Sequence, residues 1–153
     1  MVVSLAAIQY LSKTVIENPS IDYAEARKVV DTLNAEIVRR GKSGVIAVAD
    51  PHGELIAFAR MDGAPVSSIS IAINKAFTAA RERKASKQIG EAARDPEKGF
   101  DIAYFGDLRF TGWGGGVPVW KDGKVIGSVA VSGLPQAEDV ELATLGASLI
   151  AGG

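Results

Sequence analysis

No cysteine occurs among the 153 residues, and histidine occurs once, at position 52. The first absence excludes disulfide partners, thiolate metal sites, iron–sulfur clusters and a cysteine nucleophile. The second leaves His52 as the one imidazole for a Ser-His-Asp triad, and a zinc site would need mostly carboxylates. No apolar run approaches the length needed to cross a bilayer, and the opening "MVVSLAAIQYLSKTVIENP" lacks a basic n-region and a small-residue cleavage site. A soluble, cytoplasmic protein is expected. Charge imbalance is lacking too: 17 Lys and Arg against 18 Asp and Glu give a net charge of -1. With no basic stripe, neither nucleic acid nor a membrane is an expected partner. What is present is 47% hydrophobic residues without repeat, linker or low-complexity tract. This fits one domain over residues 1–153, with 1–20 as an N-terminal helical extension.

The apolar spacing divides the chain. Leu5, Ile8, Leu11, Val15 and Ile16 recur at helical spacing after Ser4, and "ENPS" ends that run. Asp22 and Glu25 form a capping box with Ile21 as a staple, and Ala26, Val29, Val30, Leu33 and Ile37 share one face up to Gly41. Val45–Ala49 and Leu55–Arg60 flank the turn residues Asp50 to Gly53 and predict a β-hairpin. A helix follows from Ser67 or Ser68, with Ile69, Ala72, Ile73, Ala76, Phe77 and Ala80 inward and "RERK" at its end. Residues 85–109 are mixed, with a short helix expected around Lys87 to Arg94. "VPVWKDGKVIGSVAVSG" is a second hairpin around the type I′ pair Asp122-Gly123. Pro135, Glu138, Asp139 and Glu141 open a last helix with Val140, Ala143, Ala147 and Ile150 inward. Hairpins between helices predict an α+β fold with an antiparallel sheet.

Several residues could carry chemistry. "GKS" at 41–43 resembles the end of a phosphate-binding loop, but Glu36 stands where the first glycine belongs and a helix precedes it, so it is expected to be a helix C-cap. "WGGG" has no G-x-G-x-x-G spacing and leads into a strand, which excludes a dinucleotide fold. Gly114, Gly115 and Gly116 could form an anion-binding concavity walled by Trp113, or a strand corner. His52 is an exposed turn residue or a ligand to a metal or haem iron, and Met61, Asp101, Tyr104 and Asp107 are candidates of the same sort. No metal site is otherwise expected. Arg60 could clamp a carboxylate or pair with Asp62 beside Gly63. Lys75, in the apolar context "IAINKAFTAA", is a base or Schiff-base nucleophile, or snorkels to solvent.

Together "ARMDGAP", "NKAFTAA", "GGGVPVWKDGKVIGSVAVSG" and Asp139 resemble the GlcG/HbpS family, also called haem-degrading-domain-like, over about Ile21 to Ala151. The family includes the C-terminal domain of PduO-type corrinoid adenosyltransferases. The resemblance implies a profilin-like sandwich with a five-stranded antiparallel sheet, assembled into homo-oligomers. It also implies a ligand cleft near Arg60, Asp62, Gly63, Lys75, Thr78, Gly115, Gly116, Pro118, Ser132 and Gly133, with haem or cobalamin as implied cofactors. Where many relatives have a Gly-Gly turn, this chain has "DPHGE", so no haem ligand carries over onto His52. "RFTGWGGG" is more similar to a subgroup from small-molecule catabolic operons than to the haem binders.

Three functions follow. The first is a homo-oligomeric protein that binds a small organic ligand, haem or another tetrapyrrole being the leading one, with Arg60 and Lys75 as counter-charges. The second is an isomerase, tautomerase or lyase of a small carboxylate or hydroxy acid, with Lys75 or Asp62 as acid/base and glycine amides holding an oxyanion. The third is a scaffold whose matched residues serve the oligomer interface.

Overall fold

Central to the fold are two strands with almost no solvent contact, and every other element is arranged around them. The computed structural model describes residues 2–12 and 15–151, with the side chains of 10–12 and 151 left aside. In chain order the elements are α1 (Leu5–Ser12), α2 (Tyr23–Arg39), β1 (Val45–Ala49), β2 (Leu55–Arg60), α3 (Ser68–Glu82) and α4 (Ser86–Ala93). A 3₁₀ turn at Ile102–Phe105 leads to β3 (Gly116–Lys121), β4 (Lys124–Ser132) and α5 (Gln136–Ala151). The strands run antiparallel in the order β2-β1-β4-β3.

Alternation along β1 splits the core. Ile46 and Val48, with Val129 and Val131 of β4, face α2 and α5 and pack on Leu33, Ile37, Leu142 and Ala143. Val45, Ala47, Ala49 and Ala130 face the other way, onto Ala72 and Ala76 of α3. Small residues on both sides of this second interface let α3 lie close to the sheet; Ser128, also on it, donates a hydrogen bond to the Ala76 carbonyl at 2.6 Å. The result is an α+β sandwich with helices on both faces.

The local signals explain most element ends. Asp22 caps α2 by accepting from the Glu25 amide at 2.8 Å. Beyond the C-cap Arg40, Gly41 takes φ +67°, so "GKS" is a helix exit, with Lys42 paired to Glu138 and Ser43 bonded to the Asp62 carbonyl. Both hairpins form, and Asp122 and Gly123 adopt φ +50° and +74° as the type I′ turn requires.

Two expectations need correction. The sheet has four strands among the described residues, not five. Between α4 and β3, where a fifth could have run, aspartates bend the chain instead. Asp95 accepts from the amides of Glu97 and Lys98, Asp101 from Ala103, and Asp107 from Arg109. This segment is fastened to α3 by Phe110, edge-on to Phe77 at 5.1 Å, and by Thr78, whose hydroxyl donates to the Arg109 carbonyl and accepts from the Thr111 amide. The second correction concerns the first helix, which is described over Leu5–Ser12, residues 13 and 14 lying outside the described ones. Val15 and Ile16 lie beyond it in irregular chain, exposed like Leu5 and Ile8. The side chain of Leu11 falls outside the described ones.

Candidate functional site

Antiparallel pairing sorts the candidate residues to two ends of the sheet. At one end lie the exit of β2 (Arg60, Asp62, Gly63), the start of β3 (Gly114 to Gly116) and the exit of β4 (Ser132, Gly133). At the other lie both hairpin turns, with His52 and Asp122-Gly123, and the end of α3.

Lys75 dominates the first end. It sits mid-helix on α3 and is 3% exposed. Its ammonium donates to Oδ2 of Asp139 at 3.0 Å and to the Val131 carbonyl at 3.0 Å. Asp139, from the first turn of α5, also accepts from the Leu134 amide through Oδ1 at 3.1 Å. Burial pushes the Lys75 ammonium down and the Asp139 carboxyl up, and each group's attraction to the other opposes this. With both groups hydrogen-bonded, the arrangement holds as an ion pair. Lys75 neither snorkels to solvent nor presents a free amine.

The glycine loop is shaped around this lysine. A Cβ on Gly115, whose φ is +121°, would come within 2.8 Å of the Lys75 Nζ and 2.6 Å of the Val131 carbonyl oxygen. One on Gly116 would meet the Lys75 carbonyl oxygen at 2.3 Å. Bare backbone thus lets the lysine cross the corner of the sheet to reach α5. Nor does the loop offer a row of free amides: the Gly114 amide donates to Gln136 Oε1 and the Gly116 amide to Ser86 Oγ. Of the two readings open for the three glycines, this geometry is that of the strand corner, with the Gly114 and Gly116 amides taken by side chains.

Around this corner lies a cleft of about 280 Å³, lined by Lys75, Trp113, Gly114, Ser132, Gly133 and Asp139, with Ser67, Ser68 and Ile71 of the α3 start. Arg60 and Asp62 do not line it. Both are exposed, neither has a described ion-pair partner, and the pairing of one with the other does not form. Gly63 is exposed, and Thr78 and Pro118 lie outside the cleft, Thr78 holding the irregular segment and Pro118 on the edge strand β3. Ser68 is the lining residue whose significance local pattern missed, because its place beside Gly133 is set by how α3 meets β4.

At the opposite end a larger cleft, about 540 Å³, is lined by His52, Arg81, Arg83, Trp120, Lys124 and Val125, with residues 16–18 across from them. His52 is exposed on the β1–β2 turn, its amide held by Asp50 Oδ1, and Asn18 Nδ2 lies 3.2 Å from its Nε2. Arg81 is occupied: it donates to the His52 carbonyl at 2.8 Å and lies 4.6 Å from the Phe77 ring centre. Arg83 and Lys124 have no ion-pair partner among the described residues, and Glu17 brings the one acidic side chain. Of the remaining candidates, Asp101 and Asp107 serve turns, Tyr104 is exposed, and Met61 packs partly against the core. No group of three metal-ligating side chains gathers among the described residues.

Comparison with known proteins decides the family. The profile of the family described as haem degrading protein HbpS-like matches residues 21–148. The chain belongs to the HbpS-like family. Protein GlcG of Escherichia coli K12 is 36% identical over 107 residues, 70% of this chain and 77% of that one. The HbpS-like fold is shared with Klebsiella pneumoniae protein ORFY, at a TM-score of 0.82 and 28% identity over 89% of this chain and 94% of the other. The PduOC:haem complex superposes at 0.78 and 21% identity, over 85% and 94%. The family profile begins at the residue before the α2 cap, so α1 and the Ile16 side of the larger cleft lie outside it.

Proposed function

We propose that this protein is a homo-oligomeric small-ligand binder whose ligand is haem or a closely related tetrapyrrole, seated in the larger cleft at the turn end of the sheet. Haem asks three things of a site: an iron ligand, a flat apolar wall, and cations for two carboxylates. His52, Trp120 with Val125 and Ile16, and Arg83 with Lys124 answer these in turn. Membership of a family described as haem degrading, and likeness of fold to a protein solved with haem, support the choice of ligand. Cobalamin suits the cleft less well, because its ring carries amides where haem carries acids.

The observation that carries the reading is the single imidazole opening onto the larger cleft, with Asn18 as its one described side-chain partner. The smaller cleft has no such ligand, since Lys75 is spent on Asp139, so Arg60 and Lys75 are replaced as counter-charges by Arg83 and Lys124. Bound haem would supply an iron centre; the protein's own part is to orient the ring against Trp120 and neutralise its acids. Haemin titration followed at the Soret band tests this. Saturable binding at one per chain is expected, with the imidazole-type spectrum lost in His52→Ala and affinity about tenfold weaker in Arg83→Ala or Lys124→Ala alone, one carboxylate contact being worth about 1–2 kcal/mol. Absence of saturation, or a spectrum indifferent to His52→Ala, overturns it.

A further inference from the structure

The cleft beside Lys75 is not used by a ligand at the turn end, yet it carries the marks of a built site. Ser68 and Ser132 are 4% and 3% exposed, and neither hydroxyl has a hydrogen-bond partner among the described residues. Every described buried side-chain oxygen or nitrogen that is sealed from solvent is hydrogen-bonded, so these two hydroxyls reach open space, and both residues line this cleft. Polar groups so deep are costly unless something outside the chain bonds them.

Two further features give that occupant a charge. Helices α3 and α5, of 15 and 16 residues, both begin at the cleft, at Ser68 and Gln136. The α3 cap residue, Ser67, makes no side-chain capping bond, which leaves its hydroxyl to the cleft as well. Helix N-termini carry partial positive charge. Here the Ser68, Ile69, Glu138 and Asp139 amides already donate to Pro65, Val66 and Pro135 carbonyls, so the helix ends contribute their dipoles, and the Lys75–Asp139 pair on the floor adds no net charge to oppose an anion. The Lys75 ammonium, with two protons committed, has a third. The rest of the wall is apolar: Pro65, Ile71 and Leu134, with Trp113 exposed at the rim. An inorganic anion would leave that wall unused, and a volume of about 280 Å³, about twice that of a cavity that takes benzene, suits a small organic acid and not a large ring system.

We infer that this cleft binds a small organic acid, its carboxylate on the Ser68 and Ser132 hydroxyls between the two helix ends and its short carbon body against Ile71 and Trp113. The experiment is an amide and indole NMR titration of the full chain with propionate, with propanamide as the neutral isostere and inorganic phosphate as the anion without a carbon body. Propionate is expected to give saturable shifts at Ser68, Ser132, Gln136 and the Trp113 indole. Ser68→Ala/Ser132→Ala, which removes two oxygens and leaves the packing intact, is expected to weaken it at least tenfold while keeping the rest of the spectrum. Propanamide binding as tightly as propionate overturns the assignment, as does phosphate doing so, or a double variant that folds and binds propionate unchanged. A lack of saturable propionate shifts overturns it also.

Discussion

At the residue scale the molecule turns on one lysine and the acid that meets it. Lys75 and Asp139 are each under 5% exposed and separated by 64 positions in sequence. Removing either alone strands a buried charge, so Lys75→Met and Asp139→Asn are each expected to cost about 3–5 kcal/mol in urea unfolding, and Lys75→Met/Asp139→Leu much less than their sum. The Lys75→Met deficit should narrow on acidification, because an unpaired Asp139 whose folded pKa lies above its unfolded one binds its proton more readily in the folded state. Lys75 was legible as an anomaly in an apolar helix, whereas its partner was not: an acid in a first helical turn is ordinary, and nothing local joins the two. Glu36 makes the opposite case. Hydrogen bonds from Arg39 and Arg40 lower its carboxyl from 4.5 to about 2. Its contribution to stability is full above the ordinary value and disappears as pH falls through about 2. A carbon-detected titration should place its midpoint there, and Arg40→Ala should move it up.

At the element scale, what the sequence declares depends on whether the cause is local. Both hairpins and α2 were readable within a residue or two because Asp122-Gly123, Asp50 to Gly53 and the Asp22 cap act within four positions. The stretch between α4 and β3 was not: its aspartate turns are local, but its course is set by packing on Phe77 and Thr78, more than thirty residues away. Ser86 shows the same dependence: its hydroxyl donates to the Trp113 carbonyl and accepts from the Gly116 amide, tying α4 to the glycine corner. The two chains cross closely where Gly90 passes Gly112. A Cβ on Gly90 would lie 2.1 Å from the Gly112 carbonyl oxygen. Gly90→Ala therefore has to part α4 from the loop, and is expected to cost about 1–3 kcal/mol, comparable to overpacking a core. Amide exchange should quicken selectively from Gly112 to Gly116, the segment that loses its anchor.

At the scale of the whole molecule, the two clefts sit at opposite ends of one rigid sheet, and apolar surface lies outside both. The described part of α1 is Leu5–Ser12, and its Leu5 and Ile8 are 76% and 53% exposed. A surface helix draws most of its stability from a packed face, and the described leucine and isoleucine of α1 bury little within their own chain. Val66, Tyr104 and Leu108 add exposed apolar groups on the body. A near-zero net charge does nothing to keep such surfaces apart. The homo-oligomer proposed above predicts a cover for this surface, α1 packing on another copy. Light scattering should then give a mass that is a multiple of 16.0 kDa. Leu5→Glu/Ile8→Glu is expected to shift that mass toward the single chain while leaving the sheet's exchange protection intact, and to abolish protection in residues 5–12. A variant that keeps both the assembly and a protected α1 would show that the helix is held by its own chain, and the contacts between copies would then have to be sought on the open edge of β2, where Leu55 is 46% exposed.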